Sequence, residues 1–178
     1  MIKSISGIRG TIGGKPGDNL SPLDIVKFTA AYGSRVLASG KGKKIVVGRD
    51  GRISGEMVSH LVVSTLQGLG LDVIDLGLST TPTVELAVTG EKAGGGIIIT
   101  ASHNSQEWNA LKLLNSLGEF ISAEEGAAIL EKAAEAAISA ISSCFSTTYT
   151  APSHKYPPTT AASAALPPPT SQQAADRY

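Results

Sequence analysis

The sequence lacks several features that would assign it to a specialised class. It has one cysteine, Cys144, in 178 residues, which excludes an intramolecular disulfide and a cysteine-based zinc site. Its 15 basic and 15 acidic side chains cancel, whereas nucleic-acid and membrane-surface binders are usually basic. No apolar run approaches a membrane span, and the N-terminus has no apolar segment of the signal-peptide type. The expectation is a cytoplasmic protein without nucleic-acid or membrane partners.

Three familiar site motifs are also missing. The chain contains neither G-x-G-x-x-G nor a Walker A loop, and its glycines at 94–96 precede a predicted strand instead of following it. A dinucleotide or P-loop nucleotide site is therefore not supported. The G-x-S-x-G elbow of the α/β-hydrolases is absent around Ser102.

Short apolar runs alternate with amphipathic stretches along residues 1–142. Helices are predicted to begin at capping residues, namely Ser21, Ser54, Thr80 and Ser122. Strands are predicted at residues 45–47, 72–76, 97–99 and 111–114. This alternation predicts a three-layer α/β/α domain with a mostly parallel mixed sheet.

The composition changes abruptly at residue 143. Residues 143–178 hold six of the nine prolines, and their only Lys, Arg, Asp or Glu residues are Lys155, Asp176 and Arg177. Such a segment buries too little apolar surface to offset its ordering entropy. We therefore predict a folded domain at 1–142, with its last helix running to about Ile141, and a disordered low-complexity tail at 143–178.

A burst of small polar residues follows the buried strand 97–99. The sequence TASHN at 100–104 places Ser102 and His103 where a strand of an open α/β sheet ends, and Lys112 comes ten residues after Ser102. His103 is badly placed to act as a base on the adjacent Ser102, because neighbouring side chains in an extended segment diverge. A serine that carries a phosphoryl group fits better, with cationic donors around it. A plain polar turn is the alternative for this segment.

Glycines flank an arginine near the N-terminus, in Gly7-Ile8-Arg9-Gly10. This pattern predicts a loop whose backbone closely approaches a ligand, with Arg9 directed at an anion. A simple glycine turn with a solvated arginine is the alternative.

Four motifs together resemble the first domain of the α-D-phosphohexomutases, the phosphoglucomutase, phosphomannomutase and phosphoglucosamine mutase group. They are SGIRG at 6–10, GRDGRISG at 48–55, DLG…TTP at 75–82 and GGGIIITASHN…N..K at 94–112. The resemblance covers residues 2–141, and within it GRDGRISG is interpreted as bracing the loops at the end of the sheet.

The resemblance implies a role for each candidate site residue. Ser102 would carry the catalytic phosphoryl group, and His103 would help to position the substrate and the phosphoryl oxygens. Lys112 would act as general acid and base at the substrate hydroxyl, and Arg9 would pair with the phosphoryl group. The resemblance also implies a Mg²⁺ ion, which Ser102 would bind through its phosphate.

The chain departs from the family pattern in two ways. Ser105 and Ala110 replace a usual proline and a frequent glycine, and neither change removes a chemical group. The D-G-D-x-D-R metal loop, the G-E-x-S-G sugar loop and the fourth-domain phosphate loop are not found in these 178 residues. Another chain could supply these domains.

The function predicted from this resemblance is that of a phosphohexomutase fragment. The intact enzyme would interconvert hexose or hexosamine 1- and 6-phosphates through a phosphoserine and a bisphosphate intermediate. Phosphoglucosamine mutase and phosphomannomutase are the favoured types, while glucose phosphates stay open. The alternative is an inactive truncated remnant that acts at most as an anion- or partner-binding module.

Overall fold

A six-stranded mixed sheet organises the part of the chain that the computed structural model describes, residues 1–4 and 7–135. The strands are β1 (Ile2–Ser4), β2 (Gly7–Thr11), β3 (Lys44–Arg49), β4 (Asp72–Leu78), β5 (Gly95–Ile99) and β6 (Trp108–Leu114). The helices are α1 (Pro22–Ser39), α2 (Gly55–Gly68), α3 (Thr81–Gly90) and α4 (Ala123–Glu135). The strand order across the sheet is β1-β2-β6-β5-β3-β4.

The predicted three-layer α/β/α class is confirmed, but the parallel share of the sheet is smaller than the sequence suggested. Strand β3 pairs in parallel with β4 and β5, and the other three of the five pairings are antiparallel. The reason is the connection type. Helices α2 and α3 provide the long crossovers that parallel neighbours require, whereas β5 reaches β6 through a short loop that reverses the chain.

Two apolar clusters cover the two faces of the sheet. The larger cluster joins buried side chains of α1, α2 and α4 to one face. The smaller cluster packs Val84 and Val88 of α3 against Val46, Ile98 and Leu114 on the other face. Strand β5 is buried along its whole length, which confirms the prediction that residues 97–99 form a buried strand.

The GIRG segment is a strand and not the predicted loop. Its residues pair with both β1 and β6, and Gly7 lies opposite Lys112. The glycines permit close approach: a Cβ on Gly7 would collide with the carbonyl oxygen of Leu111, and one on Gly10 would lie 2.8 Å from the Leu20 nitrogen. Local glycine content therefore favoured a loop, while these nonlocal contacts determine a strand.

The helix starts follow the predicted capping residues, with one difference. Ser21 forms a full capping box at α1, and Ser122 forms the same reciprocal pair with Glu125 at α4. Thr80 caps α3 through its hydroxyl. Ser54 occupies the cap position of α2 with a helical backbone conformation and without a side-chain cap bond, and its hydroxyl accepts a hydrogen bond from Asn109.

Some predictions lie outside the described residues. These are the end of the last helix at Ile141, the domain border at 142 and the disordered tail at 143–178. Within the described residues, no helix combines the length and apolarity needed to cross a membrane.

Candidate active site

The connection from β5 to β6, residues 100–107, forms a loop that we call the serine loop, which is buried at its first two residues and largely exposed from Ser102 onward. Ser102 is exposed near its start and adopts a φ of 55°, one of two non-glycine residues with positive φ among those the structure describes. The Ser102 amide donates to Thr100 Oγ1 at 3.0 Å, and the Asn104 amide donates to the Ala101 carbonyl at 3.1 Å. The backbone around Ser102 is therefore held in a conformation that a serine rarely adopts by itself.

One arginine holds the serine loop through its main chain. All five N–H donors of the Arg52 guanidinium are used, and its side chain is only 10% exposed. Four of the donors bind main-chain carbonyl oxygens at 2.7–2.9 Å, those of Ser102, Asn104, Ser105 and Trp108. The fifth donor, Nε, lies 3.2 Å from Asp50 Oδ2. A single side chain thus fixes the loop along most of its length.

Asp50 joins this arginine to the strand that carries the loop. Its Oδ2 also accepts a 2.6 Å hydrogen bond from the Thr100 hydroxyl, and its amide donates to the Ile99 carbonyl. The Thr100 hydroxyl in turn accepts from the Ser102 amide. A continuous chain of hydrogen bonds therefore runs from the Arg52 guanidinium through Asp50 and Thr100 to the backbone of Ser102.

Arg9 and Lys112 lie on neighbouring strands and on the same face of the sheet. Arg9 pairs with Ala110 of β6, and Lys112 follows two residues later on that strand, so the two cations are diagonal neighbours. On the side of β6 away from Arg9, the Thr100 amide donates a hydrogen bond to the Ala110 carbonyl. The start of the serine loop therefore lies level with Arg9 and Ala110 across the sheet. The structure therefore brings both predicted cations to the face next to the serine loop.

The Arg9 Nε atom is buried and has no hydrogen-bond partner among the described residues. A buried donor without an acceptor is costly, and an anion at this face would relieve that cost. Lys112 Nζ lies 6.0 Å from the centroid of the Phe120 ring, at the edge of cation–π range. Both side chains are half-buried, which leaves part of each accessible from solvent.

His103 is exposed beside Ser102. No hydrogen bond joins the His103 ring to another described residue, and the same holds for the Ser102 hydroxyl. The two side chains are thus available to a ligand.

Sequence reasoning identified the GRDGRISG segment as a brace but did not single out the residues that do the bracing. Arg52, Asp50 and Thr100 form the network, and buried Asn109 adds a 2.9 Å bond to Ser54. The available signal was their position: Asp50 and Thr100 directly follow two buried strands that pair in parallel. The carboxyl ends of such strands meet at one edge of a sheet.

The described residues do not fit a self-contained magnesium site. No group of three or more His, Cys, Asp or Glu side chains among them is arranged to hold a metal ion. The nearby carboxylates already have partners, since Asp50 accepts from Thr100 and Arg52, and Glu107 of the serine loop accepts from the Ser105 hydroxyl. Ligands for the expected Mg²⁺ would have to come mainly from elsewhere.

Comparison with known proteins assigns the fold to a family. Residues 2–139 match the model described as phosphoglucomutase/phosphomannomutase, alpha/beta/alpha domain I. A phosphoglucomutase/phosphomannomutase of Thermococcus kodakarensis is 38% identical over 68% of this chain and 27% of its own length. A phosphoglucosamine mutase of Helicobacter pylori strain P12 is 38% identical over 70% of this chain and 28% of its own.

A crystal structure of a phosphoglucomutase/phosphomannomutase family protein from Burkholderia thailandensis superposes with a TM-score of 0.65 at 28% identity. That match covers 74% of this chain and 29% of the other. The chain thus spans little more than a quarter of the length of the relatives it matches. On the extent of the domain match, the chain belongs to the phosphoglucomutase/phosphomannomutase family and contains its α/β/α domain I.

Proposed function

We propose that this chain is the phosphoserine domain of a phosphohexomutase, with Ser102 as the residue that carries the phosphoryl group. The observation that carries the proposal is the contrast at Ser102. Its backbone is tied on both sides, by Thr100 and by Arg52, while its hydroxyl is exposed and makes no hydrogen bond to a described residue. A group that must exchange a phosphoryl group needs this combination of fixed position and open approach.

The chemistry proceeds by two phosphoryl transfers. In the first, the bond between phosphorus and Ser102 Oγ breaks as a bond forms to a hydroxyl of the sugar phosphate, and Lys112 accepts the proton of that hydroxyl. The resulting sugar bisphosphate then reorients in the site, so that its other phosphoryl group faces Ser102. In the second, the Ser102 oxyanion left by the first transfer attacks the other phosphoryl group, the bond from phosphorus to the sugar oxygen breaks, and Lys112 returns its proton to that oxygen. Arg9 and His103 hold the phosphoryl oxygens during both transfers.

The cationic pair on the β2–β6 face supports these roles. The buried Arg9 Nε has no acceptor among the described residues, and a phosphoryl oxygen would be a strong hydrogen-bond acceptor for it. A Mg²⁺ ion would add charge stabilisation if further ligands completed its shell. The carboxylates among the described residues do not provide them.

The substrate class we propose is a hexose or hexosamine phosphate. Relatives of comparable identity are named for different sugars, a phosphoglucosamine mutase in one case and a phosphoglucomutase/phosphomannomutase in the other. We propose the phosphoglucosamine or phosphomannose type, acting in the cytoplasm.

Mass spectrometry tests the role of Ser102. The purified chain is incubated with glucose 1,6-bisphosphate and magnesium chloride, and phosphate is located by peptide mapping. We expect one phosphate on Ser102 in the wild type, none at that position in Ser102→Ala, and wild-type labelling in Ser105→Ala. Ser105 is the matched control because it is an exposed serine of the same loop, bonded to Glu107. Phosphate on Ser105 instead, or none on any serine, contradicts the proposal.

A second candidate is an anion-binding module without turnover. The lack of a metal cluster among the described residues favours it, because phosphoryl transfer in this class of reaction relies on charge neutralisation. Calorimetric titration with glucosamine 6-phosphate separates the two functions. The anion-binding module is identified by two results together: the wild-type chain binds glucosamine 6-phosphate but Arg9→Ala does not, and Ser102 takes up no phosphate.

A further inference from the structure

We propose that Arg52 is a positioning residue for phosphoryl transfer at Ser102, an inference that rests on the proposed function. The guanidinium does not reach outward to a ligand, because each of its five donors already binds the protein. Besides Asp50, its targets are three carbonyl oxygens of the serine loop and that of Trp108, the first residue of β6. Arg52 therefore sets the shape of the surface that a phosphoryl group meets.

The direction of the carbonyls determines the direction of the amides. A trans peptide is planar, and its N–H points opposite to its C=O. The Ser102 carbonyl faces Arg52, so the His103 amide points away from the guanidinium. The Asn104 carbonyl also faces Arg52, so the Ser105 amide points away too. Neither amide bonds to a described residue, which leaves both available as donors on the outer side of the loop.

The arrangement also maintains the unusual backbone of Ser102. A φ of 55° is unfavourable for a residue with a side chain, and it persists only where surrounding contacts enforce it. The carbonyl of Ser102 is held by Arg52 at 2.8 Å and its amide by Thr100 at 3.0 Å. Without the arginine, the loop loses the contact that fixes one side of this residue.

Only an arginine can make this set of contacts. Its planar fork carries five donors on three nitrogens, whereas a lysine offers three donors from a single atom. A lysine in its place would keep the positive charge next to Asp50 but could not span the carbonyls of Ser102 and Trp108 at once. Arg52→Lys thus separates positioning from charge.

The experiment measures Ser102 phosphorylation by glucose 1,6-bisphosphate in wild type, Arg52→Lys and Arg35→Lys. Arg35 is the matched control because it pairs with Glu125 on helices at the other end of the sheet. We expect Arg52→Lys to lower the rate at saturating bisphosphate by about tenfold or more, with the half-saturating concentration changed by less than about twofold. Arg35→Lys should stay within about twofold of wild type for both quantities.

Amide hydrogen exchange on the same proteins gives the second readout. Arg52→Lys should speed exchange at the Asn104 and Trp108 amides, which bond within the loop, while β5 stays protected. Methylguanidinium should restore part of the lost rate in Arg52→Ala but not change Arg35→Ala.

The outcomes distinguish the two claims. A wild-type chain that takes no phosphate on Ser102 overturns the proposed function and this inference with it. A wild-type chain that is labelled while Arg52→Lys matches its rate and exchange overturns the inference alone. A change in half-saturation without a change in maximal rate also overturns it, since that is the behaviour of a residue that binds substrate.

Discussion

The two ends of the β5–β6 pair are each held by one side chain that donates to main-chain carbonyls. At the far end, the Tyr32 hydroxyl of α1 lies 2.8 Å from the Leu114 carbonyl oxygen and 3.1 Å from that of Gly96. At the site end, Arg52 binds four carbonyls in and directly after the connecting loop. The first donor is neutral and the second is charged, and they lie in different surroundings.

This difference in charge explains the difference in location. Tyr32 is buried between α1 and the sheet, and burial raises the pKa of its hydroxyl well above the ordinary value, so the hydroxyl keeps the proton that it donates. A guanidinium in the same place would carry a large desolvation cost. Arg52 is also largely buried, but it lies at the carboxyl ends of the strands, where Asp50 balances its charge and all five of its N–H donors have acceptors. We therefore expect the Tyr32 contact to contribute mainly to stability and the Arg52 contacts to contribute mainly to the shape of the serine loop.

Among the substitutions that test this comparison, Gly95→Ala is expected to lower the free energy of unfolding most. A Cβ at Gly95 would collide with the Tyr32 hydroxyl and lie 2.8 Å from the Leu114 carbonyl oxygen. Overpacking of a rigid core position costs about 3 kcal/mol, which urea unfolding would measure. Gly90→Ala is the control, because a Cβ there meets nothing within 4 Å, and it should leave stability unchanged or slightly raised. Equal stability of the two variants would show that Tyr32 can move aside.

The next effect is that of Tyr32→Phe, which removes the donor and keeps the ring. Two buried carbonyls lose their hydroxyl partner, so the free energy of unfolding should fall by about 2 kcal/mol in urea titration. Phosphate labelling of Ser102 in the folded protein should not change, since the contact lies at the other end of the strands. Thr89→Val removes an exposed hydroxyl bond to the Leu86 carbonyl and should cost much less. A Tyr32→Phe variant that loses phosphate labelling of Ser102 but keeps its stability would show that the Tyr32 contact serves the site and not stability, contrary to this prediction.

The site end is tested by Thr100→Val, which keeps the shape of the side chain and removes the hydroxyl. The Ser102 amide and Asp50 Oδ2 each lose one bond, but water can reach this edge, so the expected cost is about 1 kcal/mol. Amide exchange at Ser102 should accelerate more than the stability loss alone predicts. Thr100→Ser retains the hydroxyl and is the control. Unchanged exchange at Ser102 would remove Thr100 from the network.

The sequence was informative where a local pattern decides the structure. The β-branched run at 97–99 indicated a buried strand, and the cap at Ser21 and the capping box at Ser122 predicted two helix starts. Strand β2 could not be predicted because two glycines lower strand propensity, and the reason for them is the approach of Leu111 and Leu20 from distant parts of the chain.

The candidate site shows the same division between residues that a local pattern reveals and residues whose contacts are distant in the sequence. TASHN and its lysine stand out as polar residues after a buried strand, whereas the role of Arg52 depends on carbonyls about fifty residues away. Arg49 and Arg52 look equivalent in GRDGRISG. Among the residues that the structure describes, the Arg49 side chain donates one long hydrogen bond, of 3.5 Å, to the adjacent Asp50 carbonyl, so the different roles of Arg49 and Arg52 are visible only in the fold.

The smallest expected effect concerns the ion pair near Tyr32, where Arg35 lies 3.0 Å from Glu125. The Ser122 amide, and after it Arg35, lower the pKa of Glu125 from its ordinary 4.5. A carboxylate whose pKa falls on folding adds stability above its unfolded value, and that stability is lost as pH drops through the folded pKa. The urea midpoint of Glu125→Gln should therefore lie slightly below wild type at pH 7, and the gap should close on acidification below about 4.5. The same substitution at Glu131, exposed on the same helix, is the control and should show no such gap. A gap that persists unchanged at low pH would mean that the glutamate acts through a contact that does not depend on its charge. The effect is expected to be small because a partly exposed charge pair adds little stability.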